Sequence, residues 1–319
     1  MASVKDLRER IRSLKNTQQI TKAMKQVAAA KIRRAEIAQK QARPYADTLG
    51  EMLRDLMASV GSVDHPFMKS GRAGAPSGIV LMTADKGLAG AFNSNAIRQA
   101  EIYRRDHQDA IFYTVGVKAR NAVRRFGQPE HATWPLNAPS KIDAAREVAQ
   151  RVTDDFVAGT IGDITLVSQK LVSMISQKPE VRRLVPIEAD ALRQAQGDRA
   201  GTAQGDGAGS AQGDRAGSAQ GDGAKLPAQS ARPRGAVEFA PSPEFVLSRL
   251  LPKYLEFTIF SAMLETDAAF FAAQLLAMNN ATDNAGKLID ELTIAMNNAR
   301  QAAITKELLE IVGGAEALA

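Results

Sequence analysis

Three histidines and one glycine-bearing turn are the residues whose types and spacing come nearest to chemistry in this 319-residue chain. His65, His107 and His131 lack any His-x-x-x-His or His-Glu pairing at metal-ligand spacing, so each reads as an isolated surface or loop histidine. The turn is Asp85-Lys86-Gly87-Leu88-Ala89-Gly90, which follows a strand-like run at 79–83 and leads into a helix. Backbone N–H groups at such a helix start can bind an anion, but the spacing matches neither the dinucleotide fingerprint nor the G-x-x-x-x-G-K-[ST] phosphate loop. It reads as a structural strand-to-helix turn, with anion binding as the alternative. Cysteine is absent, which excludes a thiol nucleophile, a thiolate metal site and a disulfide-stapled fold. The expectation is therefore no catalytic residue, no cofactor and no metal.

The elements that would position any site are unusual in length. Ser3 and Asp6 form a capping box, and a heptad-spaced row then runs Val4, Leu7, Ile11, Leu14, Ala28, Ile32, Ala35, Ala42, Ala46, Leu49, Leu53, Leu56. This predicts one helix over about 3–58, bent or short of one hydrogen bond at Pro44. Such a helix would extend on the order of 80 Å, beyond what one small core can cover. The row is interrupted at Gln18, Thr21 and Lys25, either as a simple stutter or as the level at which another protein meets the helix.

A second row supplies the partner: Leu264, Ala268, Phe271, Leu275, Met278, Thr282, Ala285, Ile289, Leu292, Met296, Ala299, Ala303, with Thr282 its one polar member. It predicts a helix from near Pro243 to a stop at Gly313-Gly314. The two ends then form an antiparallel coiled coil. Between them, apolar runs at 79–83, 110–115 and 164–168 alternate with helical stretches near 93–106, 117–126 and 140–158. That alternation predicts an α/β domain with a mainly parallel, Rossmann-like sheet.

The domain organisation read this way is an N-terminal long helix at 1–58, a linker at 59–77, the α/β domain at 78–190, an insertion at 191–236 and a C-terminal long helix at 237–319. Within the insertion, residues 195–226 repeat with period eight as AQGDRAGT, AQGDGAGS, AQGDRAGS and AQGDGAKL. No apolar side chain larger than alanine is available in these repeats before Leu226 to offset the entropy of ordering, which predicts a disordered insertion, or else a glycine-rich loop that orders on a partner.

Charge narrows the partners. Residues 1–43 hold twelve Lys and Arg against three Asp and Glu, a surplus larger than the whole chain's +6. No aromatic residue precedes Tyr45, which argues against a stacking nucleic-acid site, and the alanine-rich apolar face argues against a membrane-surface helix. No stretch approaches the roughly 20 apolar residues that span a bilayer, and no signal-peptide core follows the N-terminus, so a soluble or peripheral protein is expected. Acidic protein surfaces remain as the sharper reading of the basic helix, against a solvated coiled-coil face as the plain one.

The run RIRSLKNTQQITKAMKQVAAAKIRRAE, then ARPYADTL, and at the other end AMNNATDNAGKLIDELTIAMNNARQAAITKELLEIVGGAEAL, resemble the two most characteristic stretches of the γ-subunit family of rotary, proton-translocating ATP synthases. TADKGLAGAFN resembles the start of that family's central domain and QKPEVRRLVPI its exit. The resemblance implies a non-catalytic rotor shaft turning inside a head of three α and three β subunits, with the α/β domain, the ε subunit and the c-subunit ring at its foot. It implies a peripheral position on the cytoplasmic face of a bacterial plasma membrane, with membrane association only through the complex and no nucleic acid. Rotation would drive the catalytic β subunits through open, loose and tight states, coupling proton flow to ATP synthesis or hydrolysis. By the same resemblance Arg300, Gln301 and Thr305 face β-subunit loops, Met24 and Lys25 lie level with an acidic lever of β, and Leu308, Leu309, Ile311 and Val312 sit in an apolar sleeve of the head. Two departures stand out. AFFAAQLLAM at 269–278 places Phe270 and Gln274 where the family usually has an acid and an arginine, and the insertion falls where photosynthetic relatives carry a regulatory insert, here without cysteine.

Overall fold

The computed structural model describes residues 3–59, 65–69, 71–128, 130–187 and 243–316, so the octad repeats and the expected 191–236 insertion lie outside the described residues. The chain opens with α1 (Val4–Ser59), passes a short 3₁₀ turn (Pro66–Met68), and enters β1 (Ser77–Met82) and α2 (Phe92–Asp106). It continues with β2 (Ile111–Val115), α3 (Val117–Arg125), β3 (Glu130–Trp134), α4 (Lys141–Val157), β4 (Asp163–Leu171) and β5 (Gln177–Val185). It closes with α5 (Pro243–Glu316), a helix of 74 residues.

The capping box forms as the sequence requires: the Asp6 amide donates to Ser3 Oγ (3.1 Å) and the Ser3 amide to Asp6 Oδ2 (3.2 Å), satisfying two amides that the first turn leaves without partners. Pro44 lies inside α1 and Pro252 inside α5, and both helices run on through them. The helices are antiparallel. Lys25 Nζ meets Asn279 Oδ1 at 2.5 Å, the Lys31 ammonium lies 5.2 Å from the Phe271 ring, and the Tyr45 and Phe257 rings pack 4.7 Å apart. As one number rises the other falls, so Val4 lies level with the residues just before Arg300.

The five strands are ordered β3-β2-β1-β4-β5, parallel except for β5, which runs antiparallel to β4. Every residue of β1 is buried because helices cover both faces of the sheet. On one face Ile79, Leu81, Phe112 and Val167 pack under α2 and α3. On the other, Val80, Met82 and Leu166 meet Val148 and Val152 of α4 and a ladder on α5, Leu247, Leu251, Leu255, Ile259 and Met263. From α1 only Leu53 and Leu56 of its last turns join that core as buried members. The α/β unit is thus mounted on α5, and α1 rides on α5. Phe67 of the 3₁₀ turn is also buried, edge-on to Phe156 (6.1 Å), anchoring the stretch that leads from α1 to β1.

Four expectations need correction. Gly313 and Gly314 do not stop α5, which runs to Glu316; each glycine costs a helix about 1 kcal/mol, too little to impose an end where nothing competes for the chain. The polar break at Gln18, Thr21 and Lys25 is no gap in the pairing: Thr282 Oγ1 lies 2.8 Å from Thr21 Oγ1, and Gln18 Nε2 donates to the Thr282 carbonyl at 3.4 Å. The break therefore faces the second helix. α5 is long and apolar enough by length and composition to cross a membrane, contrary to the reading that no stretch comes close, but most of its apolar stretch is buried inside the protein, as in the core helix of a soluble protein. Finally, the sheet has two edge strands, β3 and β5, that the apolar runs did not announce.

Candidate functional site

The glycine-bearing turn after β1 is organised by its own carboxylate. Asp85 Oδ1 accepts from the amides of Val117 (3.1 Å) and Leu136 (3.3 Å), and Oδ2 from that of Asn137 (2.9 Å), tying together three loops at the C-terminal edge of the sheet. Asn93 holds the turn from the other side, accepting from the Ala84 amide (3.0 Å) and donating to the Lys86 carbonyl (3.1 Å). The reversal places Leu88 at φ 63° and Gly90 at φ 56°. In open α/β sheets a ligand crevice forms where the strand order reverses, here between β1 and β4. Phe92, at the start of α2, packs 5.7 Å edge-on to Phe270 of α5, and its carbonyl accepts from Gln169 Nε2 of β4 (2.8 Å). Two buried aromatic rings, one of them from α5, thus pack beside this turn, and its carboxylate disfavours an anion there. This geometry favours the structural reading of the turn, and Phe270 packs at a position where the resembled family usually has an acid.

The histidines are less isolated than their spacing suggested. His65 Nδ1 accepts from the Phe67 amide (3.1 Å), capping the 3₁₀ turn, and burial holds its pKa below the usual imidazole value. His107 stacks on Tyr103 with ring centroids 4.3 Å apart. His131 is the correction: its Nε2 lies 3.0 Å from Asp155 Oδ2 and 2.7 Å from Arg151 Nη2. The same Asp155 oxygen accepts from Tyr113 OH (2.7 Å) and Arg151 Nε (3.0 Å). Burial first, and then the bond to Asp155, pushes the Tyr113 hydroxyl far above its ordinary pKa. The cluster ties edge strand β3 to α4: Arg151 and Asp155 stand one helical turn apart, and tertiary folding adds His131 and Tyr113, which no local spacing flags. No group of three or more metal-ligating side chains forms among the described residues.

Ion pairs fasten the α/β unit to α5. Lys141, at the start of α4, meets Asp267 of α5 at 3.2 Å with both side chains largely buried. Further along, Arg146 Nε meets Glu256 Oε1 at 3.1 Å, and Lys253 holds the other oxygen at 2.8 Å. Burial raises the Asp267 pKa, opposed by the charge of Lys141 and, more weakly, of Lys31. Glu265 accepts from the Leu171 amide at the end of β4 (3.3 Å).

The residues picked out as partner contacts fall into two groups. Met24 is half-buried on α1, and Lys25 is exposed but already bonded to Asn279, so it reaches any second protein only by giving up or sharing that bond. Arg300, Gln301, Thr305, Leu308, Leu309 and Ile311 are all exposed on the part of α5 that passes beyond the start of α1, and Val312 continues the same helix. Thr305 Oγ1 donates to the Gln301 carbonyl (2.9 Å), and Lys306 pairs with Glu310 (3.7 Å). Ile304, Leu308, Leu309 and Ile311 give this overhang an apolar character that no described residue outside the helix covers. At 1.5 Å per residue it projects about 25 Å.

Comparison with known proteins gives one consistent result. The family model described as ATP synthase matches residues 3–318. The ATP synthase gamma chain of Heliobacterium modesticaldum is 39% identical over 319 residues, and that of Desulforamulus reducens 40%, each alignment covering all of both chains. Among solved structures, the rotor of the Euglena gracilis mitochondrial ATP synthase superposes with a TM-score of 0.61 at 18% identity, over 94% of this chain and 98% of that one. The central stalk and c-ring structure from Tetrahymena thermophila gives 0.55 at 20% identity, over 82% and 99%. These likenesses agree with a sheet-bearing unit mounted on two long terminal helices.

Proposed function

The chain belongs to the ATP synthase gamma-chain family, and from that premise we propose that its paired helices are the central shaft of a proton-translocating ATP synthase, turning inside a head of three α and three β subunits. The α/β unit is the foot, which joins the ε subunit and the c-subunit ring. In this reading the chain catalyses nothing itself. Proton flow turns the ring and foot, and the shaft's asymmetry drives each β subunit in turn through its conformational cycle. The complex lies on the cytoplasmic face of a bacterial plasma membrane, and the chain reaches the membrane only through it.

The observation that carries this reading is the overhang. A single helix beyond the end of its coiled-coil partner is marginal in water, yet this one bears Ile304, Leu308, Leu309 and Ile311 exposed, with no cover among the described residues. An apolar sleeve around it, with polar loops level with Arg300, Gln301 and Thr305, accounts for those residue types in that order. The basic face of α1 suits acidic levers on the same partner, with Met24 and Lys25 at one of their levels.

The test is to mix the chain with the α and β subunits of its host and follow both complex formation and ATP hydrolysis. The expected result is a complex with one copy of this chain per three αβ pairs, hydrolysing ATP only when the chain is present. Folded α and β subunits that form no complex with it would overturn the shaft reading.

A further inference from the structure

His131 sets one ring nitrogen between a cation and a carboxylate: Nε2 lies 2.7 Å from Arg151 Nη2 and 3.0 Å from Asp155 Oδ2. A single nitrogen cannot serve both. Without a proton it accepts from the guanidinium and shows the carboxylate only a lone pair. With a proton it donates to the carboxylate and turns an N–H toward the guanidinium.

The two states hold Arg151 differently. While Nε2 is bare, the guanidinium fork grips its neighbours side by side, Nε–H on Asp155 Oδ2 (3.0 Å) and Nη2–H on His131. Tyr113 OH takes the remaining place on the same carboxylate oxygen (2.7 Å). That oxygen has two lone pairs, so a third donor must displace one of the first two. The Tyr113 side chain is fully buried with its ring edge-on to His131 at 5.3 Å, which leaves it no room to withdraw, whereas the Arg151 side chain is 46% exposed. Protonation of His131 also sets two cations against each other. Arg151 is therefore the group that leaves.

Its next partner stands on the same helix. Glu147 precedes Arg151 by one turn, the favourable order for an acid and a cation four residues apart, and Glu147 Oε2 accepts from Trp134 Nε1 of β3 (3.1 Å). Of the other charged groups around His131, Glu130 is paired with Arg124 of α3 (3.0 Å), and Asp154 of α4 is exposed.

We propose that His131, Arg151 and Asp155 form a pH-operated switch between edge strand β3 and α4: protonation of His131 transfers Asp155 from Arg151 to the imidazolium, and the freed guanidinium moves one turn along α4 to Glu147, beside the Trp134 indole. Acid thereby places an unclamped arginine on the surface of the α/β unit, while β3 stays tied to α4 through the new bond. Trp134 is the chain's sole tryptophan, so its emission reports this site alone. The test follows that emission in the full-length chain from about pH 8 to about pH 5, the range in which imidazoles change charge, together with the His131 ring resonances and the hydrogen exchange of Arg151 Nε–H by NMR. The expected result is a one-proton change in emission that tracks the His131 resonances, with loss of Arg151 Nε–H protection over the same interval. His131→Gln, whose side-chain amide does not titrate, should abolish both changes, and His107→Gln should keep them. Emission and Nε–H protection that stay constant with pH in the unmodified chain would overturn the switch, as would changes that persist in His131→Gln. An emission change with Arg151 Nε–H still protected would also overturn it, because Arg151 then remains on Asp155. Should His131→Gln not fold, the unmodified chain decides: protection lost in step with the His131 resonances supports the switch, and protection retained overturns it.

Discussion

The lower and upper halves of the paired helices use the same antiparallel register but different means of holding it. In the lower half, Leu53 and Leu56 of α1 and Leu247, Leu251, Leu255 and Ile259 of α5 are almost wholly removed from water, because α4 and the sheet close over the two helices. In the upper half, two helices with nothing beside them among the described residues bury only a seam that includes Leu7, Ile11, Ala28, Met278, Ala285 and Ile289, with Thr21 and Thr282 at its centre. A two-stranded coil leaves each helix mostly exposed whatever its sequence, so the upper half stays slender and the lower half supplies the stability. Small residues such as Ala28 and Ala285 let the two backbones approach closely.

The largest effect should come from the lower half. Leu251→Ala, at a site with no exposure and neighbours from sheet and helix, should destabilise the chain by about 3–5 kcal/mol in denaturant unfolding. Ile11→Ala in the upper seam should cost well under half as much. Equal losses would mean that the two halves are equally well packed and would break the comparison.

Second comes the strap between α4 and α5. Lys141→Met leaves the Asp267 carboxylate buried without its cation, and breaking such a pair should cost about 2–3 kcal/mol at neutral pH given its slight exposure. The sign with pH follows from the direction of the Asp267 shift. Its folded pKa is raised, so the folded chain takes up that proton before the unfolded one does. The proton's stabilising contribution is complete below the unfolded value and is lost as pH rises through the folded value. The variant's deficit should therefore shrink as pH falls into the acid range and Asp267 becomes neutral. Chemical unfolding of both proteins from pH 7 downward checks this, and a deficit independent of pH would mean that Lys141 acts through its stem packing or its bond to the Leu136 carbonyl (3.0 Å).

The two halves also differed in how far the sequence disclosed them. The heptad rows gave both helices and their antiparallel pairing, since a period near 3.5 is imposed by the seam itself. The central strands β1, β2 and β4 were visible as apolar runs because both faces of the sheet are covered. β3 and β5 were not: EHATW alternates between half-buried and exposed positions, and QKPEVRRLV carries Pro179 and four charges, as an edge strand must to avoid pairing with another chain. The polar break could not be assigned from spacing, because periodicity says that Thr21 and Lys25 share a face but not what that face meets. The part of His131 in the Asp155 and Arg151 pair was invisible for a related reason, as it joins these α4 residues only when β3 docks beside the helix. The overhang became apparent only once the register showed α5 passing the start of α1.

A third effect probes the polar layer of the upper half. Thr282 Oγ1 has one proton and two acceptors within reach, Thr21 Oγ1 at 2.8 Å and the Met278 carbonyl at 2.7 Å, while Thr21 itself donates to the Gln18 carbonyl at 3.0 Å. Thr282→Val removes the cross-helix bond but leaves Thr21 its own acceptor, so the cost should be about 0.5–1 kcal/mol. The double variant Thr21→Val/Thr282→Val should recover most of it, since both polar groups leave together. A double-mutant cycle on chemical unfolding measures the coupling. A double variant much less stable than either single would mean that the layer sets the register of the coil.

The smallest effect on folding should come from the overhang, where the comparison reaches its limit. Leu309 is exposed and has no partner on α1, so Leu309→Ser removes no buried area; the lower helix propensity of serine changes a helix that is marginal there in any case. Global stability should shift by no more than about 0.5 kcal/mol. Hydrogen exchange of the isolated chain should be fast from Arg300 onward in both proteins and slow around Leu251 and Leu255. Binding should respond differently, because a sleeve that accepts Leu309 loses an apolar contact and gains an unpaired hydroxyl. Weakened assembly with the αβ head at unchanged folding stability would place that residue's contribution wholly in the partner. Slow exchange beyond Arg300 in the isolated chain would show that the overhang is held by the chain itself, and the apolar tip would then need no sleeve.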